Sequence, residues 1–188
     1  MARIAELLRG ISLPDLVVAI QRNWRAIVAG LALALVGLGA WAGYDWYQAR
    51  REGEATQALI QAFGEVRKVE GAKERDEALL KELRRIAEQH AGTQGGGEAL
   101  VRLGHLLYEA GKFDEAREAF GAYVRDYARG PRRLTAAIGK AYAEESKGDL
   151  AAAEKTLAGA IDRGKGDPLV GEAQVGLAKV YEGLKKPD

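Results

Sequence analysis

Glu98–Val124 reads EALVRLGHLLYEAGKFDEAREAFGAYV, two amphipathic runs parted by a single glycine. In the first run Leu100, Leu103 and Leu107 recur at spacings of three and four, which places them on one face of a helix. Gly111 then interrupts the pattern, where a left-handed residue would end that helix. The second run repeats the spacing with Phe113, Ala116 and Phe120. Leu103, Leu107 and Phe120 are large enough to fill the space between two helices, while Gly104 and Ala116 are small enough to let them approach. The stretch is therefore a helix–turn–helix pair whose second member lies back against the first.

Moving outward, the same pattern returns 37 positions later, where Gly148, Leu150, Ala153 and Leu157 stand for Gly111, Phe113, Ala116 and Phe120. Leu103-Gly104 is answered by Lys140-Ala141 and again by Leu177-Ala178. Shifted backward, the match is weaker: Phe63 with Leu100, Val66 with Leu103, Leu83 with Phe120. A fixed period of this size marks stacked supersecondary units, none of which can bury its apolar face alone. The unit resembles a tetratricopeptide repeat, in which a Leu-Gly pair, a turn glycine, an aromatic, an alanine and a second aromatic hold these places. Leu100 stands where that repeat usually has a tryptophan, and the period exceeds its usual value of about 34. The resemblance implies an all-α array that binds proteins along its concave face. In that register Val101, His105 and Tyr108 face the groove from one unit, Ile138, Tyr142 and Glu145 from the next, and Lys179 and Glu182 from the last. Two tyrosines with aliphatic neighbours suit an extended or helical peptide, unless Tyr108 and Tyr142 merely pack between repeats.

Helices are expected near Lys73–Ala91, Glu98–Ala110, Asp114–Ala128, Arg132–Ser146, Leu150–Asp162 and Pro168–Leu184. The run Thr93–Gly97 reads as a flexible loop. Lys186-Pro187-Asp188 falls where the turn of another unit belongs, so Pro168–Leu184 is either a capping helix or the first half of a longer chain's next repeat.

The opposite end has a different character. Ile27–Tyr44, IVAGLALALVGLGAWAGY, carries no charge. Its roughly 27 Å as a helix lies near the short end of what spans a hydrocarbon core. Trp24 precedes it, and Trp41, Tyr44, Trp46 and Tyr47 close it, as expected of rings at two interfaces. Gly30, Gly37, Gly39 and Gly43 are consistent with close helix contact in the bilayer, although small residues are common in any membrane helix. Arg9, Arg22 and Arg25 ahead of the span, against Arg50 and Arg51 after it, favour a cytoplasmic N-terminus and a periplasmic repeat domain. Ala40-Trp41-Ala42 fits a cleavage site, but the segment before it is long for a signal peptide. Ile4, Leu7, Leu8 and Ile11, with Arg3 and Arg9, form either an interfacial helix or a partner-docking segment. Ser12 and Pro14 suit the start of a long helix running to about Val69.

The organisation is thus a cytoplasmic amphipathic segment over 1–26, a transmembrane helix over 27–44, a helical extension with a degenerate first repeat over 45–97, and tetratricopeptide-like repeats over 98–188. A short cytoplasmic stretch, a Gly-rich span closing on Trp41, Tyr44, Trp46 and Tyr47, an amphipathic helix with Ala49, Thr56, Ala58 and Phe63, and then degenerate repeats follow in an order that resembles the YfgM family of ancillary SecYEG translocon subunits. That resemblance implies inner-membrane anchoring, contact with the translocon, and a periplasmic domain that meets chaperones or client proteins. The rival expectation is a structural accessory subunit of another membrane complex, whether respiratory, photosynthetic or of the envelope.

Little in the chain points to catalysis. The 188 residues contain no cysteine, which removes disulfides, cysteine zinc sites and thiol nucleophiles. Two histidines, His90 and His105, lack ligand spacing, so no metal is expected. No nucleotide or hydrolase motif occurs, and Gly95-Gly96-Gly97 lacks the lysine and strand of a phosphate loop. A net charge of +1 gives no reason to expect nucleic acid. Glu115, Glu118, Glu144 and Glu145 read as solvated helix charges, and Glu82 with Arg85 as a local pair. The expectation is a protein-binding chain without cofactor, not an enzyme.

Overall fold

A computed structural model describes residues 13–184, with side chains accounted for from residue 21 onward. The helix expected over Ile4–Ile11 with Arg3 and Arg9, the Ser12 cap and the Lys186-Pro187-Asp188 end lie outside those residues. Among the described residues every element is helical: α1 (Leu13–Val66), α2 (Ala72–Gln89), α3 (Gln94–Glu109), α4 (Phe113–Asp126), α5 (Arg133–Ser146), α6 (Leu150–Arg163) and α7 (Val170–Leu184). The chain divides into two units after Ala49.

In the first unit, the apolar stretch of α1 is bare. Leu31, Leu33, Leu35, Val36, Leu38 and Trp41 are all exposed. The Arg25 guanidinium lies over the Trp24 ring, 5.7 Å from its centroid. This helix is long and apolar enough to cross a membrane.

In the second unit, consecutive helices pack pairwise. Beyond sequence neighbours, α3 touches α5 and α5 touches α7, whereas α4 and α6 do not touch. The first helix of each pair therefore lines the inner side of a curved stack, with the second helices outside. The expected turns are present at both positions that demand them. Gly111 (φ 73°) and Gly148 (φ 81°) are left-handed. The amide that follows each glycine closes back five residues, Lys112 N to Leu107 O at 2.9 Å and Asp149 N to Glu144 O at 2.9 Å. The weak backward match also holds in space: Val66 and Leu103 are both buried, as are Leu83 and Phe120. The end of α1 thus pairs with α2 as a first repeat.

The core is continuous across units. Phe120 is 1% exposed. An added Cβ at Gly104 or at Gly139 would come within 2.7 or 2.6 Å of its ring. The α4 ring is thus clasped by the helix before it and the helix after it. Because α5 is packed on both sides, it is rich in alanine and glycine, and Ala136, Ala141 and Ala143 are fully buried.

Three expectations are corrected here. Thr93–Gly97 is no loop. Thr93 caps α3 by accepting the Gly96 amide at 3.0 Å, and Gly95, Gly96 and Gly97 form the buried first turn. The reason is steric: side chains there would meet Ala55, the His90 carbonyl and the Tyr123 and Tyr127 rings. The Glu52 carboxylate of α1 accepts the Gln94 amide at 2.9 Å, placing negative charge at the helix's positive end. Second, Glu144 is not solvated. It is 4% exposed, one oxygen pairs with Lys140 at 3.2 Å, and the Lys140 ammonium also donates to Thr156 at 3.3 Å. A central helix has no solvent face at that position. Third, Leu177-Ala178 does not repeat the close approach expected from its match with Leu103-Gly104, since Ala178 is only half-buried. Close approach in α7 occurs instead at Gly176, against Tyr142 and Leu157.

Candidate protein-binding groove

On the inner side, α3, α5 and the start of α7 enclose a hollow of about 450 Å³. Helix α3 contributes His105 and Tyr108, α4 the edge of Phe120, and α5 Thr135, Ile138, Gly139 and Tyr142. Arg132 stands at one end, and Leu169 and Glu172 at the other repeat's border. His105 meets Phe120 edge-on, with ring centroids 5.1 Å apart. Tyr108 leans on Phe113 at 5.3 Å, and its hydroxyl shares a 3.0 Å hydrogen bond with the Ser146 hydroxyl of α5. Tyr142 has its hydroxyl pKa raised, first by burial and then by the carboxylates of Glu172 and Glu145.

A second hollow of about 420 Å³ adjoins it, with Arg132 in the walls of both. It is bounded by Thr56 and Leu59 of α1, Gly95 and Glu98 of α3, and the stacked rings of Tyr123 and Tyr127. Both rings are fixed by hydroxyls that accept backbone amides, Tyr123 from Arg132 at 3.0 Å and Tyr127 from Gly92 at 2.9 Å. Burial raises both hydroxyl pKa values. Glu98 holds Arg132 at 3.2 Å where the two hollows meet.

The expected groove residues fare unequally. His105, Tyr108, Ile138 and Tyr142 come together in one wall system. Val101 does not face the groove; it is 3% exposed, inside the core that includes Ala62 and Leu83, because the first helix pair stacks over that side of α3. Glu145 lies one turn beyond Tyr142, outside the lining but close enough to act on its hydroxyl. Lys179 and Glu182 are exposed on α7 and line no part of the hollow. They occupy the register of Tyr142 and Glu145, but a hollow needs the start of a following first helix to close it. That rule also identifies the residues that were missed. Arg132 and Thr135 recur 37 positions later as Leu169 and Glu172, and 37 positions earlier as Gly95 and Glu98. The period that located the helices could have located these walls.

Among the described residues, no group of three or more metal-ligating side chains comes together. The tetratricopeptide repeat-like domain family matches residues 20–130, which run from ahead of the apolar part of α1 to just past the end of α4. The chain belongs to that family. The tetratricopeptide repeat itself matches residues 101–168. Two crystal structures of Podosopora anserina proteins with nearly identical TPR-like repeats, described as of the kinesin light chain kind, share the fold. The first superposes with a TM-score of 0.52 at 19% identity over 73% of this chain. The second, at 0.51 and 20%, also covers 73%. The chain spans 66% of the first and 67% of the second. A search of curated proteins returns no match. As a tetratricopeptide repeat-like protein, the chain is an interaction scaffold.

Proposed function

We propose that this chain holds a protein partner at a membrane, with α1 as anchor and the α3–α5–α7 groove as the main contact. The observation that carries the reading is the convergence of Tyr108 and Tyr142, from successive first helices, on one hollow with a Phe120 floor. Aromatic anchors in such hollows dominate many interfaces. Arg22 and Arg25 beside the apolar stretch support a cytoplasmic N-terminus in the inner membrane, with the repeats in the periplasm. The order of parts resembles the ancillary translocon family, which makes a SecYEG-like complex and periplasmic chaperones or clients the first partners to test. The second reading, a structural accessory subunit of another membrane complex, is supported by the bare helix surface around Gly30, Gly37 and Gly39, where an added Cβ would meet nothing within 4 Å beyond the helix's own local backbone.

Affinity purification of the full chain in mild detergent, followed by identification of co-purifying subunits, tests both. The double change Tyr108→Ala with Tyr142→Ala is expected to lose the partner while circular dichroism stays that of the parent. A double variant that keeps both helicity and partner would move the interface to the membrane helix.

A further inference from the structure

The groove has an electrostatic polarity that its aromatic content does not require. Its lining cation, Arg132, is already held by Glu98 at 3.2 Å. Lys147, which caps the end of α5 opposite to Arg132, is held by Asp114 at 2.6 Å. At the Tyr142 end the position is reversed. Glu172 in the wall and Glu145 beside it have no ion pair or hydrogen bond among the described side chains, and both act on the Tyr142 hydroxyl. The nearest basic residue of α7, Lys179, does not reach the hollow. The unbalanced charge of the groove is therefore negative, and Glu172 shares the hollow with Tyr108 and Tyr142.

Two free carboxylates beside aromatic walls complement a cation on an apolar stem. The stem covers ring surface while the head meets carboxylate oxygen. An acidic segment would face Glu145 and Glu172 with no free cation among the lining residues. Resting on the groove reading above, we infer that the occupant is an extended peptide segment presenting an arginine or lysine side chain between Tyr142 and the Glu145–Glu172 pair, with an apolar neighbour toward Phe120.

The test uses the full chain in detergent micelles and fluorescence anisotropy with a capped, fluorescein-labelled peptide, Ala-Leu-Arg-Leu-Ala. Twins carry citrulline or glutamate at the centre. The arginine peptide is expected to bind roughly tenfold more tightly than its citrulline twin, from two partly exposed charge contacts. That advantage should shrink as salt rises and disappear in the double variant Glu145→Gln with Glu172→Gln. The single variants keep the comparison available should the pair disturb melting. Equal binding of the arginine and citrulline peptides, tighter binding of the glutamate peptide, or an advantage that survives both glutamines would each overturn the inference. So would failure of all three peptides to bind. The groove reading itself stands or falls separately, on partner recovery by the Tyr108 and Tyr142 variants.

Discussion

Leu33 and Leu157 are the same side chain in two different situations: the first is 73% exposed, the second 0%. The glycines differ as sharply. Gly37 and Gly39 have open space around them, whereas Gly104 and Gly139 are pressed against one phenyl ring. In the apolar stretch of α1, hydrophobicity is uniform around the helix and Leu31, Leu33, Leu35, Val36 and Leu38 are exposed among the described residues, as suits a lipid solvent. In the repeats it is confined to faces, and Phe120 has Gly104 and Gly139 opposite it, as Leu157 has Gly176. The difference teaches that composition alone says little. The angular distribution of apolar residues decides whether a helix is solvated by lipid or by its neighbours.

Phe120→Ala should break the repeat side of this contrast most severely, at about 3–5 kcal/mol by the usual cost of emptying a core aromatic site. Thermal and denaturant melts of the full chain in detergent would record it, and a loss below about 1 kcal/mol would mean that the ring is not the shared core residue described. Gly104→Leu should follow closely, since overpacking costs about 1–3 kcal/mol and the ring has nowhere to move. The matched change Gly37→Leu should leave the same melt unmoved. Combining Gly104→Ala with Phe120→Leu should recover part of what either loses alone, which would tie the effect to that contact. Thr93→Ala should cost about 1 kcal/mol through loss of the α3 cap, and Thr93→Ser should restore it.

The smallest effect concerns acid. The Lys147 ammonium, hydrogen-bonded to Asp114, holds that carboxyl below its ordinary value, with Coulombic help from Lys147 and Arg117. A depressed folded pKa means that the contribution is present above the unfolded aspartate value of about 3.9 and is lost as pH falls through the folded value. Asp114 is exposed, so Asp114→Asn should flatten the acid limb of the stability curve only slightly. A large change there would show that the pair between α4 and α5 is stronger than its exposure suggests.

Much of the fold was legible because repeats state their rules more than once. Gly111 and Gly148, or Ala116 and Ala153, can be checked against each other without any structure. The glycine run was misread because three glycines ordinarily disfavour a helix by about 1 kcal/mol each. Only the crowding by Ala55, the His90 carbonyl and two tyrosines explains why nothing larger would fit. Glu144 and Val101 were misplaced for a common reason. Helical periodicity gives the direction of a side chain but not how many neighbours stand there, and α3 and α5 are covered on two sides. Four of the ten residues lining the hollow, His105, Tyr108, Ile138 and Tyr142, follow from the repeat register. Arg132, Thr135, Leu169 and Glu172 lie at the starts of first helices, where residues serve caps and turns as well as surfaces.

The phenyl ring of Phe120 has one more consequence, for cooperativity. In a linear array each unit could in principle melt by itself, with neighbours joined only by interface energy. Here a single side chain completes its own pair and is also seated in the next, so α3–α4 and α5–α6 should open together, in one transition. The edge of the same ring is the floor of the groove. A peptide resting there presses on the joint between two repeats, and occupancy should therefore steepen the melt as well as raise it.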